Sequence, residues 1–268
     1  MKLLTRANAK IVKGERRGFV TFILHLAPAK LSGYEVCGGS SPECRRLCLN
    51  ISGRGKFDAT QQARIKKTKW FFEDRNSFMA QLVKDISAAI RYGMRNNLVV
   101  CIRLNGTSDI PWESIRCGNF ENIMERYPFV QFYDYTKLLG RTMPSNYHLT
   151  FSLSETNQDK AKIAMAQGMN IAVVFDHIPL MWQGMPVISG DEDDLRFLDP
   201  QNHVIGLQAK GAAVNSQSIF IQRTTYGKPA SSFVPRITGR GHRESSQGRS
   251  AGVSRQRQAR RTSHSLSR

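Results

Sequence analysis

The chain has 268 residues, 40% of them hydrophobic, and 39 Lys plus Arg against 21 Asp plus Glu give a formal charge of +18. That is apolar material for one large domain or two small ones, and it contains no run of about 18 apolar residues that would span a membrane. Charges at Lys10, Lys13, Glu15, Arg16 and Arg17 precede the first apolar run, with no small-residue cleavage site after it. This pattern does not read as a secretory leader, and a reducing cytosol is expected, where thiols are ligands more often than bridges.

In chain order, Phe19 to Leu26 reads as a buried strand, followed by a loop rich in Gly, Ser and Pro that carries Cys37, Cys44 and Cys48. Two helical stretches come next. In the second, Phe78, Leu82, Ile86 and Ile90 recur on one face, with Asn76 as the expected cap and Gly93 near the end. A strand from Leu98 to Leu104 is halted by Asn105-Gly106-Thr107-Ser108-Asp109, and a helix from about Trp112 to Arg126 leads into a strand from Val130 to Tyr135. That strand stops at Thr136-Lys137. The next, His148 to Leu153, stops at Ser154-Glu155-Thr156-Asn157; then come a helix over Asp159 to Gln167, a strand from Ile171 to Phe175 ending at Asp176-His177, and an apolar run from Val204 to Leu207.

Strands alternating with polar clusters and helices indicate βαβ units and a parallel sheet. About six strands in roughly 200 residues suit a partial parallel (β/α) barrel, an incomplete TIM barrel, over residues 1–225, with a doubly wound open sheet as the rival. From Tyr226 onward, ten basic residues and one acid put +9 on a segment of Ser, Gly, Gln and Arg. Residues 226–268 are therefore expected to be a disordered tail, either a solubilising extension or a nucleic-acid partner through Arg–phosphate contacts.

Ligands in parallel α/β folds bind where the strands end. Along one strand His148, Thr150 and Ser152 share a parity opposite to Leu149, Phe151 and Leu153, so one face is polar and is expected to line a lumen or cleft. The strand-end residues Arg103, Asn105, Asp109, Asp134, Lys137, His148, Ser152, Glu155 and Asp176 are candidates to contact cofactor or substrate, and Asp109, Asp134, Lys137, His148 and Glu155 carry the groups that acid–base chemistry uses. The bland alternatives are an Arg103–Asp134 ion pair and helix caps at Asp109 or Asn157.

The cysteines are spaced Cys-x6-Cys-x3-Cys, and an odd number cannot close into disulfides among themselves. Three thiolates leave one iron of a four-iron–four-sulfur cluster, or one zinc position, without a cysteine. A structural zinc would need a fourth ligand such as His25, Cys101, Cys117 or His148, although Cys101 and Cys117 read as packed small side chains. Iron–sulfur, zinc and metal-free loops all remain open on spacing alone. Most of the acidic block Asp191-Glu192-Asp193-Asp194 is expected to face solvent or cap a turn, because consecutive side chains do not converge on a metal. No Walker loop, His-Glu-x-x-His helix or nucleophile elbow is present.

The cysteine loop combines with Gly53-Arg54-Gly55-Lys56-Phe57, Trp70-Phe71-Phe72-Glu73-Asp74-Arg75, Arg103-Leu104-Asn105-Gly106-Thr107-Ser108-Asp109-Ile110, Phe132-Tyr133-Asp134-Tyr135-Thr136-Lys137, the stretch from Tyr147 to Asn157 and the stretch from Gly190 to Pro200. Together these blocks resemble the phage "gene product 88" family from about residue 19 to residue 211. The resemblance implies a bacteriophage source and the host cytoplasm; the family's role is unassigned.

More distantly, the chain is similar to radical S-adenosylmethionine enzymes, which carry three cysteines in a loop after the first strand of a six-stranded partial barrel. That likeness implies a 4Fe–4S cluster on Cys37, Cys44 and Cys48, with S-adenosylmethionine held near Arg103, Asn105, Gly106, Asp109 and Ser152. The usual spacing is Cys-x3-Cys-x2-Cys with an aromatic residue before the last cysteine, where this chain has Leu47. Two expectations follow: an iron–sulfur enzyme modifying a nucleotide, nucleic acid or small metabolite, or a non-catalytic nucleic-acid-binding protein whose cysteine loop holds zinc or no metal.

Overall fold

In the computed structural model, residues 1–6 and 9–224 are described, so the tail expected over 226–268 lies outside the described residues. The strands are β1 (Leu4–Thr5), β2 (Phe19–Leu24), β3 (Val99–Arg103), β4 (Gln131–Thr136), β5 (Tyr147–Ser152), β6 (Ile171–Phe175), β7 (Met181–Trp182), β8 (Met185–Ser189) and β9 (Val204–Gln208). They form one nine-stranded sheet in the order β1-β2-β3-β4-β5-β6-β9-β8-β7. The pairs from β2 through β9 to β8 are parallel, while the short end strands β1 and β7 pair antiparallel. The six expected strands correspond to β2, β3, β4, β5, β6 and β9, and they lie side by side in chain order. A doubly wound sheet reverses its order at a switch point. Here the strands follow chain order from β1 to β6 and the order then reverses over β9, β8 and β7, with β1 and β7 as the two ends.

The helices are α1 (Ala9–Glu15), α2 (Pro42–Arg46), α3 (Asp58–Glu73), α4 (Arg75–Asn96), α5 (Ile123–Arg126) and α6 (Gln158–Ala166). α4 buries Phe78, Leu82, Ile86 and Ala89 against Val20, Val100, Ile102 and Phe132 in the main core. Its cap is Asp74, which accepts the Ser77 N–H at 3.1 Å, rather than Asn76, and it ends at Asn97 in the left-handed conformation. The helix expected from Trp112 to Arg126 is instead a 3₁₀ turn at Trp112–Ser114 and the four-residue α5. Between them Cys117 and Phe120 exchange backbone hydrogen bonds in a tight turn that no helix can pass through. Trp112, Ile115, Ile123 and Met124 are buried all the same, so the apolar pattern marked the core correctly and its geometry wrongly.

Alternation along the strands gives the sheet two different faces. Val100, Ile102, Phe132, Leu149 and Phe151 pack under the helices. The opposite face presents Thr21, Arg103, Tyr133, Tyr135, His148 and Thr150, and the segment after β8 covers it: Phe197 lies 5.5 Å from Phe19 and 5.3 Å from Tyr133 between ring centroids. Tyr133 and Thr21 share a hydroxyl–hydroxyl bond of 2.8 Å. The polar parity of the His148 strand thus belongs to an interior face, with Thr150 fully buried.

Candidate functional site

The long connection from β2 to β3 carries the cysteine loop back over the strand ends. Three contacts fix it there. Glu155, just past β5, accepts the Ser41 hydroxyl at 2.7 Å and the Glu43 N–H at 3.0 Å. Asp109, past β3, donates its N–H to the Val36 carbonyl at 2.7 Å while its carboxylate accepts from Thr136 Oγ1 at 2.8 Å and Lys137 N at 2.7 Å, tying the loop to the end of β4. Gly39 lies directly on Lys137, where a Cβ would come within 2.9 Å of the lysine Cβ. A short helix, α2, then forms with Ser41 as its cap, accepting the Cys44 N–H at 3.2 Å, and carries Cys44 on its first turn.

Cys37, Cys44 and Cys48 are free thiols, all partly buried, whereas Cys101 and Cys117 are buried singly as expected. Burial pushes the Cys37 thiol up to about 12; the Ala29 N–H opposes the rise, and Cys48, Asp109 and Cys44 add to it. Burial also raises Cys48, with Asn50 N–H lowering it, Cys44 raising it, and Arg64 and Lys137 lowering it. The three sulfurs therefore lie within electrostatic reach of one another. They are not a ready-made chelate: among the described residues no group of three His, Cys, Asp or Glu is arranged to hold a metal ion. Cys37 Sγ accepts the Ala29 N–H at 3.3 Å and faces the Thr107 carbonyl at 3.7 Å, and Cys48 Sγ accepts the Asn50 N–H at 3.5 Å.

The other candidates divide into two groups. Lys137 and Ser152 meet at the mouth, Nζ to Oγ at 2.5 Å, near Cys48. Asn105 is structural: its Oδ1 accepts from Ser108 at 2.8 Å, Ile110 N at 2.9 Å and Trp112 Nε1 at 3.1 Å, and its Nδ2 donates to Ile110 O at 2.9 Å. Gly106 allows the β3 turn to press on β2, since a Cβ there would lie 2.5 Å from Ile23 Cγ2 and 2.7 Å from the Leu24 carbonyl. Asp134, fully buried, accepts from Leu104 N at 3.1 Å, Asn105 N at 3.0 Å and Tyr147 OH at 3.1 Å. Burial raises its carboxyl to about 6, against the pull of Arg103. Asp176 caps the turn at its own strand end, accepting from Thr224 N at 2.9 Å and His177 N at 2.7 Å.

Arg103 is buried between two acids, bonded to Asp194 and 3.6 Å from Asp134, and it lies 5.2 Å from the Tyr135 ring centroid. Burial works against its charge, but Asp194 and Asp134 outweigh that and keep the guanidinium protonated. Half of the acidic block thus departs from expectation, because Asp193 and Asp194 are buried. Asp193 holds Arg17 at 2.5 Å and Arg196 at 3.3 Å. His148 lies near Arg196 with its ring held below the usual range by burial and then by that arginine, and its Nε2 has no protein partner.

Sequence reasoning missed Arg64, Arg196 and Asp194. Arg64 stands in a helix with almost no amphipathic signal, and the pairing of Arg103 with Asp194 spans 91 positions that no local pattern connects. The described cavities lie away from the cysteines: one of about 360 Å³ near Met165, Met185 and His203, and one of about 580 Å³ lined by Glu113 and the segment from Leu138 to Pro144. Among the described residues no helix is long and apolar enough to cross a membrane.

Fold and site together define an α/β protein with a largely parallel sheet and a three-thiol loop clasped over its strand ends. A family model described as Gene product 88 matches residues 2–224, and the chain belongs to this bacteriophage family. No curated protein and no solved structure is significantly similar to it.

Proposed function

We propose that this chain is a phage iron–sulfur protein acting as an enzyme at the mouth of an incomplete (β/α) barrel, with Cys37, Cys44 and Cys48 holding the cluster. The observation that carries the reading is the gathering of three partly buried free thiols on one loop, with Cys44 and Cys48 close enough to Cys37 to act on it, fastened over strand ends by Glu155 and Asp109. The run of parallel neighbours in chain order from β2 to β6 supports the incomplete barrel. Burial first, and then neighbouring thiols, raise Cys37 and Cys48, and that penalty is lost when a soft cation takes their protons, so the donor set suits iron–sulfur or zinc ligation. A cluster with one iron free of cysteine supplies one-electron chemistry at that open position.

The chain's own residues would then position and shield a substrate. Lys137, held by Ser152, lies beside Cys48 at the strand ends. The residues that the resemblance assigns to S-adenosylmethionine do not fit it: Asp109 and Asn105 have their oxygens committed to the protein and Gly106 is pressed on β2. The proposal therefore extends to the cluster and stops there.

The second reading, a non-catalytic protein with a zinc-bearing or metal-free loop, is favoured by the backbone N–H groups that Cys37 and Cys48 already accept. Oxygen-free purification with iron, sulfide and zinc analysis separates the two. A brown protein with stoichiometric iron and sulfide supports the enzyme, and a colourless protein, with zinc or without metal, supports the second reading.

A further inference from the structure

Most cations near the strand ends are neutralised: Arg45 by Glu35, Arg46 by Glu43, Arg103 by Asp194, Arg141 by Glu113 and Lys210 by Asp191. Four are not. Among the described residues Arg54, Lys56, Arg64 and Lys137 take part in no ion pair; Arg64 and Lys137 lie close enough to Cys48 to act on it, and Arg54 and Lys56 are exposed on the adjoining 3₁₀ turn. Asn50 is the hinge of that turn. Its N–H reaches Cys48 Sγ, its Oδ1 accepts from Arg64 Nη1, and its carbonyl accepts from Gln61 Nε2 at 2.9 Å. The same Gln61 amide holds the Gly55 carbonyl at 2.5 Å, which anchors the 3₁₀ turn carrying Arg54 and Lys56 to this point. Lys137 approaches from the end of β4, bonded only to Ser152, with the Phe220 ring 5.9 Å away.

Two of the acids at hand are already engaged, and Asp58, in the first turn of α3, meets only the Gln62 amide among the described residues. Glu155 serves Ser41 and Glu43, and Asp109 serves Thr136, Lys137 N and Arg141. From Cys48 to Lys69 the sequence has six bases and one acid, Asp58. A half-buried guanidinium without a counter-ion is unfavourable to the fold, and its placement suggests an anion supplied from outside. The N-terminal end of the 16-residue α3 lies on the same turn; its cap, Phe57, makes no side-chain hydrogen bond, and Asp58 in the first turn partly offsets its positive end. Phe57 is itself 56% exposed, an aromatic face between the cations and the solvent.

We propose that this rim is a phosphate-binding site, formed by Arg54, Lys56, Arg64 and Lys137, with Phe57 as a stacking surface for an attached base. It names the substrate class of the site above, a nucleotide or a single strand of nucleic acid, and rests on that reading for the chemistry but not for the binding. Guanidinium and ammonium groups without acids recognise phosphate oxygens, and one exposed aromatic ring tolerates any base.

The test uses the full chain with Arg255, Arg257, Arg260 and Arg261 changed to Gln, so that tail affinity does not mask the rim. Fluorescence anisotropy with a labelled oligothymidylate, and competition by ATP, compare this parent with the same chain carrying R54Q and K56Q. The rim variant is expected to bind the strand about tenfold more weakly, and its salt slope to fall by about 1.4, roughly 0.7 per lost contact. Displacement by ATP with the same dependence on the rim assigns the site to free nucleotides, and strand binding alone assigns it to nucleic acid. Equal affinity of parent and rim variant for both probes overturns the proposal. Iron content of the same preparations reads the metal separately: iron-free protein with rim-dependent binding keeps this site and loses the cluster, and iron-loaded protein without rim dependence does the reverse.

Discussion

The interior face of the sheet and the rim beside Cys48 use the same residue types to opposite ends. Inside, Arg103 and Arg196 lie among Asp134, Asp193, Asp194 and Asp199, with Arg17 reaching Asp193 from the surface, and each arginine faces at least one carboxylate. At the rim, Arg54, Lys56, Arg64 and Lys137 form no ion pair among the described residues, although Lys137 also acts on Asp109, and burial raises the Cys37 and Cys48 thiols beside them. The difference teaches where to look for function. Charges answered within the chain hold the fold together, and charges left unanswered await something from outside.

The sharpest way to break this contrast is to remove one partner from the interior. Asp194→Ala leaves Arg103 buried and short of a counter-ion, and is expected to cost about 3–5 kcal/mol in urea unfolding. Arg54→Gln, at the rim, should shift the same curve hardly at all. Equal effects would erase the distinction. Next in size is Gly106→Ala, whose methyl group would press on Ile23 and the Leu24 carbonyl; about 1–3 kcal/mol is expected from the same measurement. An unchanged midpoint would mean that β2 and β3 are not fixed as described.

pH sharpens the comparison from the side of the mouth. Burial first, then Arg64, Arg103 and Lys67, lower the His25 ring to about 3, while the unfolded chain takes up that proton near 6.5. A depressed base stabilises the fold above the unfolded pKa, and that contribution is lost as pH falls from 6.5 towards 3. Asp134 and Asp199, each raised to about 6 by burial, run the other way, losing stability as pH rises from about 4 to about 6. The comparison is therefore made between variants: wild type should lose about 1 kcal/mol more than His25→Gln between pH 7 and roughly pH 5.5. Parallel profiles would show that burial and the cations around His25 do not hold its ring down. Smallest in stability is Glu155→Gln, expected to cost about 1 kcal/mol or less. Its clearer effect is faster alkylation of Cys44 as the Ser41 and Glu43 contacts loosen; an unchanged rate would remove Glu155 from its role as clasp.

Strand content was legible because buried parallel strands are short runs of Val, Ile and Phe ended by polar residues, as at Val99–Arg103 and Ile171–Phe175. The segment from Trp112 to Arg126 misread as a helix because its apolar residues are buried by irregular turns hung on Asn105, a hub formed by side-chain bonds that periodicity does not register. The two-residue β1 and β7 fall below any pattern; β1 owes its place to Asp85, which accepts the N–H groups of Leu3 at 2.6 Å and Leu4 at 3.0 Å. At the site, the cysteine spacing marked the loop. The roles of Glu155 and Asp109 as its fasteners, and of Asp194 as the partner of Arg103, arise only from long-range contacts.

The most direct test is iron bound per chain after oxygen-free reconstitution, compared among wild type, the single variants Cys37→Ala, Cys44→Ala and Cys48→Ala, and Cys101→Ala as control. The account predicts a brown wild type and a brown Cys101→Ala, with iron and charge-transfer absorption largely lost in each of the other three. Iron-free wild type, or iron that remains when any of the three loop cysteines is replaced, would contradict it.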